Sequence, residues 1–293
     1  MSKLETMDEA AGRVVDGSTV AIGGLLMNGA PMEFCRALAR RGAKDLTVVA
    51  IVAGPSVDWL VAGGCVRRAI IGLVSMEGFG LAPHFRRAAE RGEIDVEEWS
   101  EHTIICGLQA AAARLPFMPT KAGLGTDMPG LHPERTEVVE HPRGTYLACG
   151  PIRPDVAVVH VHEADVNGNC RVLPKLVWMD SELVKAADTV VATTERVVPE
   201  RTFRAAPERT TYPGFTVDAV VEAPLGAYPT SLFPWHGYDG AFVTEYLAAC
   251  RDPETFAPFW RDRVMDPEDG PALVDANGGA ATLLRIRSAG GTA

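Results

Sequence analysis

Four short apolar runs, Val20-Ala21-Ile22, Leu46 to Ile51, Val66 to Leu73 and Val156 to Val161, constrain the fold of this chain more than any other feature. Between the first three, and after Val66 to Leu73, lie stretches with helical period: Pro31 to Arg41, Ser56 to Ala62 and Pro83 to Arg91. Such apolar strands have both faces covered, so the alternation predicts an α/β fold, a mostly parallel sheet with helices on both faces in a layered domain. The 293 residues accommodate one large domain or two small ones, each with a substantial core.

An opening helix is expected from the spacing of Leu4, Met7, Ala11, Val14 and Val15, with Ser2 and Glu5 as its capping box and Gly17 as its stop. A further helix is expected from Ser100 to about Arg114. The turn-rich stretch Pro116 to Gly130 has no periodicity, and long loops in compact domains are functional or disordered. Proline-rich breaks at Pro207 to Gly214 and Pro224 to Pro234 precede helices near Gly240 to Cys250 and Thr255 to Arg263, and the final S-A-G-G-T-A reads as frayed. No internal repeat is visible.

Within this alternation one connection stands out. The strand-like run Ser18 to Gly24 ends in paired glycines, a short loop closes on Asn28-Gly29, and a helix opens on Pro31. Glycines directly after a strand clear the backbone of side chains, and the helix start behind supplies unpaired N–H groups, so the bend is built to face an anion or a carbonyl. The G-G-x4-G-x-P spacing is not that of the dinucleotide fingerprint, and no acidic residue closes a following strand at the required distance, which argues against a nicotinamide cofactor.

Charge narrows the partners. With 28 basic and 38 acidic side chains the net charge is −10, which disfavours a nucleic-acid surface and an anionic membrane. The acidic N-terminus lacks the pattern of a signal peptide and no window is apolar enough for a membrane span, so a soluble cytoplasmic protein is expected. The six cysteines are widely and irregularly spaced, without C-x-x-C or zinc spacing, and read as reduced core thiols. Alternation places His160 and His162 on one strand face beside Glu163 and Asp165, a grouping that raises a metal site or a hydrogen-bonding role.

Several segments, in order and at compatible spacing, carry a resemblance. They are G-G-x4-G-x-P at Gly23 to Pro31, G-F-G-L-A-P-H-F-R-R-A at Gly78 to Ala88, and L-P-F-M-P-T-K-A-G-L-G-T-D at Leu115 to Asp127. D-V-A-V-V-H-x3-A-D-x2-G-N at Asp155 to Asn169, a Glu195 that follows a strand, and V-D-A-V-V-E-A-P-x-G-A-x-P at Val217 to Pro229 complete the set. Over nearly its whole length the chain resembles the α (A-type) subunits of class I coenzyme A transferases, the glutaconate CoA-transferase kind. The resemblance implies a CoA-transferase-like domain, assigned to residues 1–265, with 266–293 as a partly flexible extension.

It also implies a β-type partner subunit and an active site shared between the halves. There the partner's glutamate attacks the acyl-CoA thioester, giving an acyl-glutamyl anhydride and then a glutamyl-CoA thioester that passes CoA to a second carboxylic acid. A weak carboxylate nucleophile needs water excluded and the oxyanion held by fixed donors. No permanently bound cofactor is implied, coenzyme A thioester being a substrate, and no metal, so a hydrogen-bonding role is expected for His160 and His162. Made alone, a half-enzyme of this kind is expected to be poorly soluble or to form an unnatural homodimer.

This chain holds no clean copy of the partner's S-E-N-G or E-S-G nucleophile turn; the nearest is V-S-M-E-G-F-G, which makes Glu77 a catalytic candidate. A branch of the family resembles the ring-opening hydrolases of actinobacterial steroid breakdown, sharing C-G-L-Q-A-A-A at Cys106 to Ala112 and R-L-P-F at Arg114 to Phe117. In that branch a glutamate just before this helix is the acid/base candidate, and the matching position is Glu101, with His102 beside it. A carboxylate there also favours the helix dipole. Gly23, Gly24, Asn28, Gly29 and Ser75 are the candidate substrate-binding residues. Arg67-Arg68, Arg86-Arg87 and Lys121 could neutralise CoA phosphates, although in the family CoA is held largely by the partner half. Three readings follow: a transferase subunit, a hydrolase subunit using Glu101, and a catalytically silent scaffold half. Selectivity for the acyl group is expected from the loops Pro116 to Gly130 and Pro224 to Gly240.

Overall fold

The computed structural model describes residues 2–173 and 178–290. Its first part alternates: α1 (Met7–Ala11), β1 (Thr19–Ile22), α2 (Met32–Arg41), β2 (Leu46–Ala53), α3 (Pro55–Ala62), β3 (Val66–Val74), α4 (Pro83–Glu90), β4 (Asp95–Glu98) and α5 (Glu101–Ala112). Then come β5 (Met118–Thr120), α6 (Met128–Leu131), β6 (Thr136–His141) and β7 (Gly144–Cys149). The chain returns through β8 (Val156–Ala164), β9 (Cys170–Arg171), α7 (Asp180–Ala186), β10 (Thr189–Val197), α8 (Glu200–Arg204) and β11 (Ala219–Glu222). It finishes with α9 (Gly240–Ala249), α10 (Pro253–Trp260), α11 (Gly270–Ala276) and α12 (Gly279–Gly290).

The main sheet has the order β11-β10-β8-β1-β2-β3-β4, with β9 paired to β8. Every pairing along that path is parallel and only β9 runs antiparallel. Alternating side chains divide the core as the apolar strands foretell. Val20, Ile22, Val48, Ala50 and Ile71 pack with Phe34, Leu38, Trp59 and Tyr246 on one face. Ala21, Val49, Ile51 and Ile70 pack with Ile104, Leu108 and Leu183 on the other. Helices thus cover both faces, as expected. All six cysteines are free and buried, and among the described residues no helix is long and apolar enough to cross a membrane.

Several local expectations need correction. The first helix does not open on a Ser2 and Glu5 box or run to Gly17: its capping box is Thr6 with Glu9, and it ends at Gly12. The reason is tertiary. The amides of Lys3 and Glu5 donate to the carbonyls of Val166 and Val220, so residues 3–5 are extended along the sheet edge before a helix can begin. Thr6→Ala is therefore expected to lower stability by about 1 kcal/mol, read as a shifted urea midpoint, with Ser2→Ala near neutral.

The stretch Pro116 to Gly130 is not structureless; it contains β5 and α6, and β5 joins β6 and β7 in a separate three-stranded antiparallel sheet. Its strands are short and half exposed, which is why they leave no apolar signature. Glu195 lies within β10 rather than after a strand, and β8 extends past His160 and His162. Of the six terminal residues expected to be frayed, 288–290 belong to α12 and 291–293 lie outside the described residues.

Candidate functional site

The strand order reverses at β1: β2, β3 and β4 extend to one side, β8, β10 and β11 to the other. In an open parallel sheet the loops that leave the carboxyl ends of strands on either side of such a reversal diverge and open a crevice. A cleft of about 300 Å³ lies there. One wall is the bend after β1, with Gly24, Leu25, Asn28 and Gly29; another is His160 and His162 on β8. Trp178, Asp180, Leu232 and Phe233 close the remaining sides. A roomier hollow of about 570 Å³ beside α2 and α11 is occupied by its own charges, with Glu33 paired to Arg40 at 3.3 Å.

The paired glycines have separate reasons. A Cβ on Gly23 would sit 3.2 Å from the Asp180 Cγ and 3.1 Å from the Val158 carbonyl oxygen. Gly24 has φ +92°, and a Cβ there would meet backbone atoms of Ala30 at 2.7 Å and 2.8 Å. The amides of this bend are not bare, contrary to expectation. Every one from Gly23 to Gly29 donates within the chain, five of them to main-chain carbonyls. The two others donate to carboxylates: Gly24 to Asp180 Oδ1 at 3.0 Å and Met27 to Glu77 Oε1 at 3.4 Å. Side-chain acceptors can rotate away where a carbonyl of the fold cannot. The Met27 amide is therefore covered by an exposed carboxylate that a ligand can displace, while Asp180 is seated against Gly23.

Asn28 is held from behind, its Oδ1 accepting from Ser231 Oγ at 2.8 Å and from the Phe233 amide at 3.3 Å. Among the described residues nothing accepts from its Nδ2 on the cleft side. His162 Nδ1 accepts from the Leu173 amide at 3.1 Å, so its Nε2 carries the proton and donates to the Phe233 carbonyl at 3.0 Å. Burial lowers its pKa to about 4, so the ring is neutral at working pH. Burial raises Asp180 to about 6, the Gly24 amide opposing it.

Behind the cleft wall His160 bonds Thr193 Oγ1 at 2.8 Å and Glu195 Oε1 at 3.2 Å. Glu195 also accepts from the Leu225 amide at 2.9 Å and faces His236 Nε2 at 3.8 Å. Burial would raise Glu195, but the bonds and charge of His160 and His236 outweigh it and hold the carboxyl well below the usual range. Glu195 thereby fixes the loop that presents Leu232 and Phe233 to the cleft. The hydrogen-bonding role expected for the histidines is what the geometry gives.

Glu77, Glu101 and Ser75 sit apart from the cleft walls. Glu77 is an exposed residue with φ +52° in the turn after β3 and reaches the bend only through Met27. Ser75 Oγ accepts from the Glu77 amide at 3.1 Å and donates to the Gly80 carbonyl at 3.4 Å, so its hydroxyl shapes its own turn. Glu101 and His102 are exposed in the first turn of α5, which Ser100 and Thr103 already cap. Arg68 pairs with Asp95 at 2.7 Å near the start of β3, at the opposite end of the sheet. Arg86 pairs with Glu90 at 2.7 Å, Arg87 donates to the Cys250 carbonyl at 2.6 Å, and Lys121 lies 5.9 Å from the Tyr146 ring centroid.

Sequence reasoning missed Asp180, Trp178, Phe233 and His236. Asp180 sits 156 positions from the amide it caps, and only its place at a helix start marked it. The large aromatic residues Trp178 and Phe233 are 46% and 45% exposed at the cleft, an exposure that local sequence does not report.

A family model described as coenzyme A transferase matches residues 4–223. An uncharacterized protein of Archaeoglobus fulgidus is 33% identical over 290 residues; the match covers 97% of this chain but 64% of that protein, so the chain spans about two thirds of its length. The cholesterol ring-cleaving hydrolase IpdA subunit of Rhodococcus jostii is 34% identical over 277 residues, 91% of this chain and 93% of that one. Among solved structures, glutaconate coenzyme A-transferase from Acidaminococcus fermentans superimposes with a TM-score of 0.89 and 26% identity, covering 97% of this chain and 95% of that one.

Proposed function

On the premise that the chain belongs to the coenzyme A transferase family, we propose that it is the A-type half of a two-subunit enzyme moving CoA between an acyl-CoA and a carboxylic acid. The observation that carries this reading is the cleft at the strand reversal, whose rim is apolar and, among the described residues, open. Trp178 and Phe233 stand exposed at it, and Leu73 at the end of β3 and Leu81 and Tyr238 on loops stand exposed at the same end of the sheet. A second polypeptide seated on that end would bury these side chains and exclude water from the cleft.

The chemistry divides accordingly. The partner's glutamate attacks the thioester carbon and expels CoA thiolate, leaving an acyl-glutamyl anhydride. The thiolate attacks the glutamyl carbonyl and releases the first acid as its carboxylate, and the resulting glutamyl-CoA thioester passes CoA to the second acid by the reverse steps. This chain's part is to seat the acyl group and to offer the Met27 amide to developing negative charge once Glu77 gives way. Glu77 is thus proposed as a displaceable cap rather than a nucleophile.

A second reading rests on Glu101. Because Ser100 and Thr103 cap α5 without it, its carboxylate is exposed and has no hydrogen-bond partner among the described residues, as an acid/base for ring-opening hydrolysis would need. The heteromer, given acyl-CoA and a free acid, separates the two. Transfer exchanges CoA with total thioester conserved; hydrolysis of a thioester releases free thiol, and hydrolysis of a CoA-linked cyclic ketone, supplied in a parallel assay, opens the ring to a carboxylate with the thioester kept. We expect exchange, with Glu101→Ala changing it by no more than about threefold, as for an exposed residue outside the chemistry. Thiol release or ring opening that falls by about 100-fold in Glu101→Ala would establish the hydrolase instead.

A further inference from the structure

We propose that Asp180 is a specificity-determining residue of the acyl cleft, selecting acyl groups with an uncharged far end and rejecting those that carry a second carboxylate. The inference rests on the reading of the cleft as the acyl site.

Geometry comes first. Asp180 is the first residue of α7 and projects into the cleft, where its Oδ1 takes the Gly24 amide proton at 3.0 Å. Its position is built in from the other side as well: the missing side chain of Gly23 leaves the space that the carboxyl fills, since a Cβ there would stand 3.2 Å from Asp180 Cγ. Among the described residues Oδ2 has no partner, which leaves it available to whatever enters the cleft. Around it the wall is apolar, formed by Leu25, Val172, Trp178, Leu232 and Phe233.

Among the described residues, the groups that face Asp180 leave its charge without a pair. From β8 come His162, a neutral ring whose tautomer is set by Leu173 and Phe233, and His160, whose bond and charge are taken up by Glu195 at 3.2 Å. From the loop before β11 comes Tyr212, buried, its hydroxyl unpartnered among the described residues and held protonated by burial and by the Asp180 charge. From the bend comes the uncharged Asn28. A second carboxylate reaching this wall meets a like charge across apolar surroundings, where repulsion is strong. A hydroxyl, a carbonyl or a hydrocarbon end meets none. Because Asp180 titrates near 6, it is a neutral acid below that pH and can donate through Oδ2; above it, the carboxylate repels. Discrimination therefore rises as pH rises through 6.

Pentanoyl-CoA and glutaryl-CoA have the same chain length and differ in the terminal carboxylate, so the pair isolates the effect. With the heteromer at pH 7.5 we expect kcat/KM for pentanoyl-CoA to exceed that for glutaryl-CoA by roughly tenfold or more. Asp180→Asn keeps an oxygen for the Gly24 amide and removes the charge. It should shrink the ratio by roughly fivefold or more, chiefly through a lower KM for glutaryl-CoA. At pH 5.5 the wild-type ratio should shrink and the Asn ratio should not move. An unchanged ratio in Asp180→Asn, or wild-type preference for glutaryl-CoA, overturns the inference. Should neither thioester turn over, the functional reading fails, and the ratio of their dissociation constants by titration calorimetry tests Asp180 alone. Binding of neither removes the acyl cleft and the inference together.

Discussion

Alanine at position 24 is expected to lower stability by about 2–5 kcal/mol and transfer activity by about 100-fold. Gly24 has φ +92°, and the atoms a Cβ would strike at 2.7 Å and 2.8 Å belong to the backbone of Ala30, just before α2. Backbone at a helix start cannot rotate away, so relief must come from the bend itself, and the bend is a cleft wall. Gly29→Ala is the matched control. Its φ is +68° and its nearest contact would be Gly24 Cα at 4.0 Å, so the strain there is conformational alone, about 1–2 kcal/mol. Urea midpoints and exchange rates for the two variants test this; equal effects would show that the turn tolerates a displaced Ala30.

The second large effect is expected away from the cleft. Asp58 on α3 is buried and accepts from the His84 and Phe85 amides at 2.8 Å each, and from Tyr246 Oη at 2.6 Å. It thereby caps α4 and ties α9 to both. Asp58→Ala orphans the buried Tyr246 hydroxyl and two half-buried amides at roughly 1–3 kcal/mol each, so a loss of about 4 kcal/mol is expected. Asp58→Asn retains an acceptor and should lose less. Burial raises Asp58 to about 6 against its hydrogen bonds, and an ordinary aspartate titrates near 3.8. Between those values the folded chain holds more protons than the unfolded one, so this group's contribution to stability falls as pH rises from about 4 to 6. Asp180 adds a slope of the same sign. Urea midpoints at pH 5 and 7.5 should therefore differ less in Asp58→Asn than in wild type.

Much of the architecture was legible because it is locally encoded. The apolar runs in β1, β2, β3 and β8 report burial on both faces, and the helix stop at Gly42, in left-handed conformation, reports itself through the residue type. The bend at Gly23 to Gly29 could be picked out for the same reason, glycine being needed where backbone approaches backbone. The start of α1 could not, since its onset is delayed by pairing of residues 3–5 with segments more than 160 positions away. The small sheet of β5, β6 and β7 was missed because β5 is three residues long, β6 is mostly exposed, and only Leu147 to Cys149 of β7 are buried, too few to mark an apolar run.

By itself the sequence determined that this chain makes a layered parallel sheet and that its sharpest turn follows the first strand, because periodicity and glycine are properties of neighbours along the chain. Only the tertiary structure decided what that turn faces. The strand reversal at β1 sets His162, Asp180 and Phe233 around it, and the carboxylates of Asp180 and Glu77 cover amides that the sequence left bare. Charge and hydrogen bonding act through space over a few ångströms, and the folding of β8, α7 and the 232–236 loop onto one strand end is what brings those groups within that range.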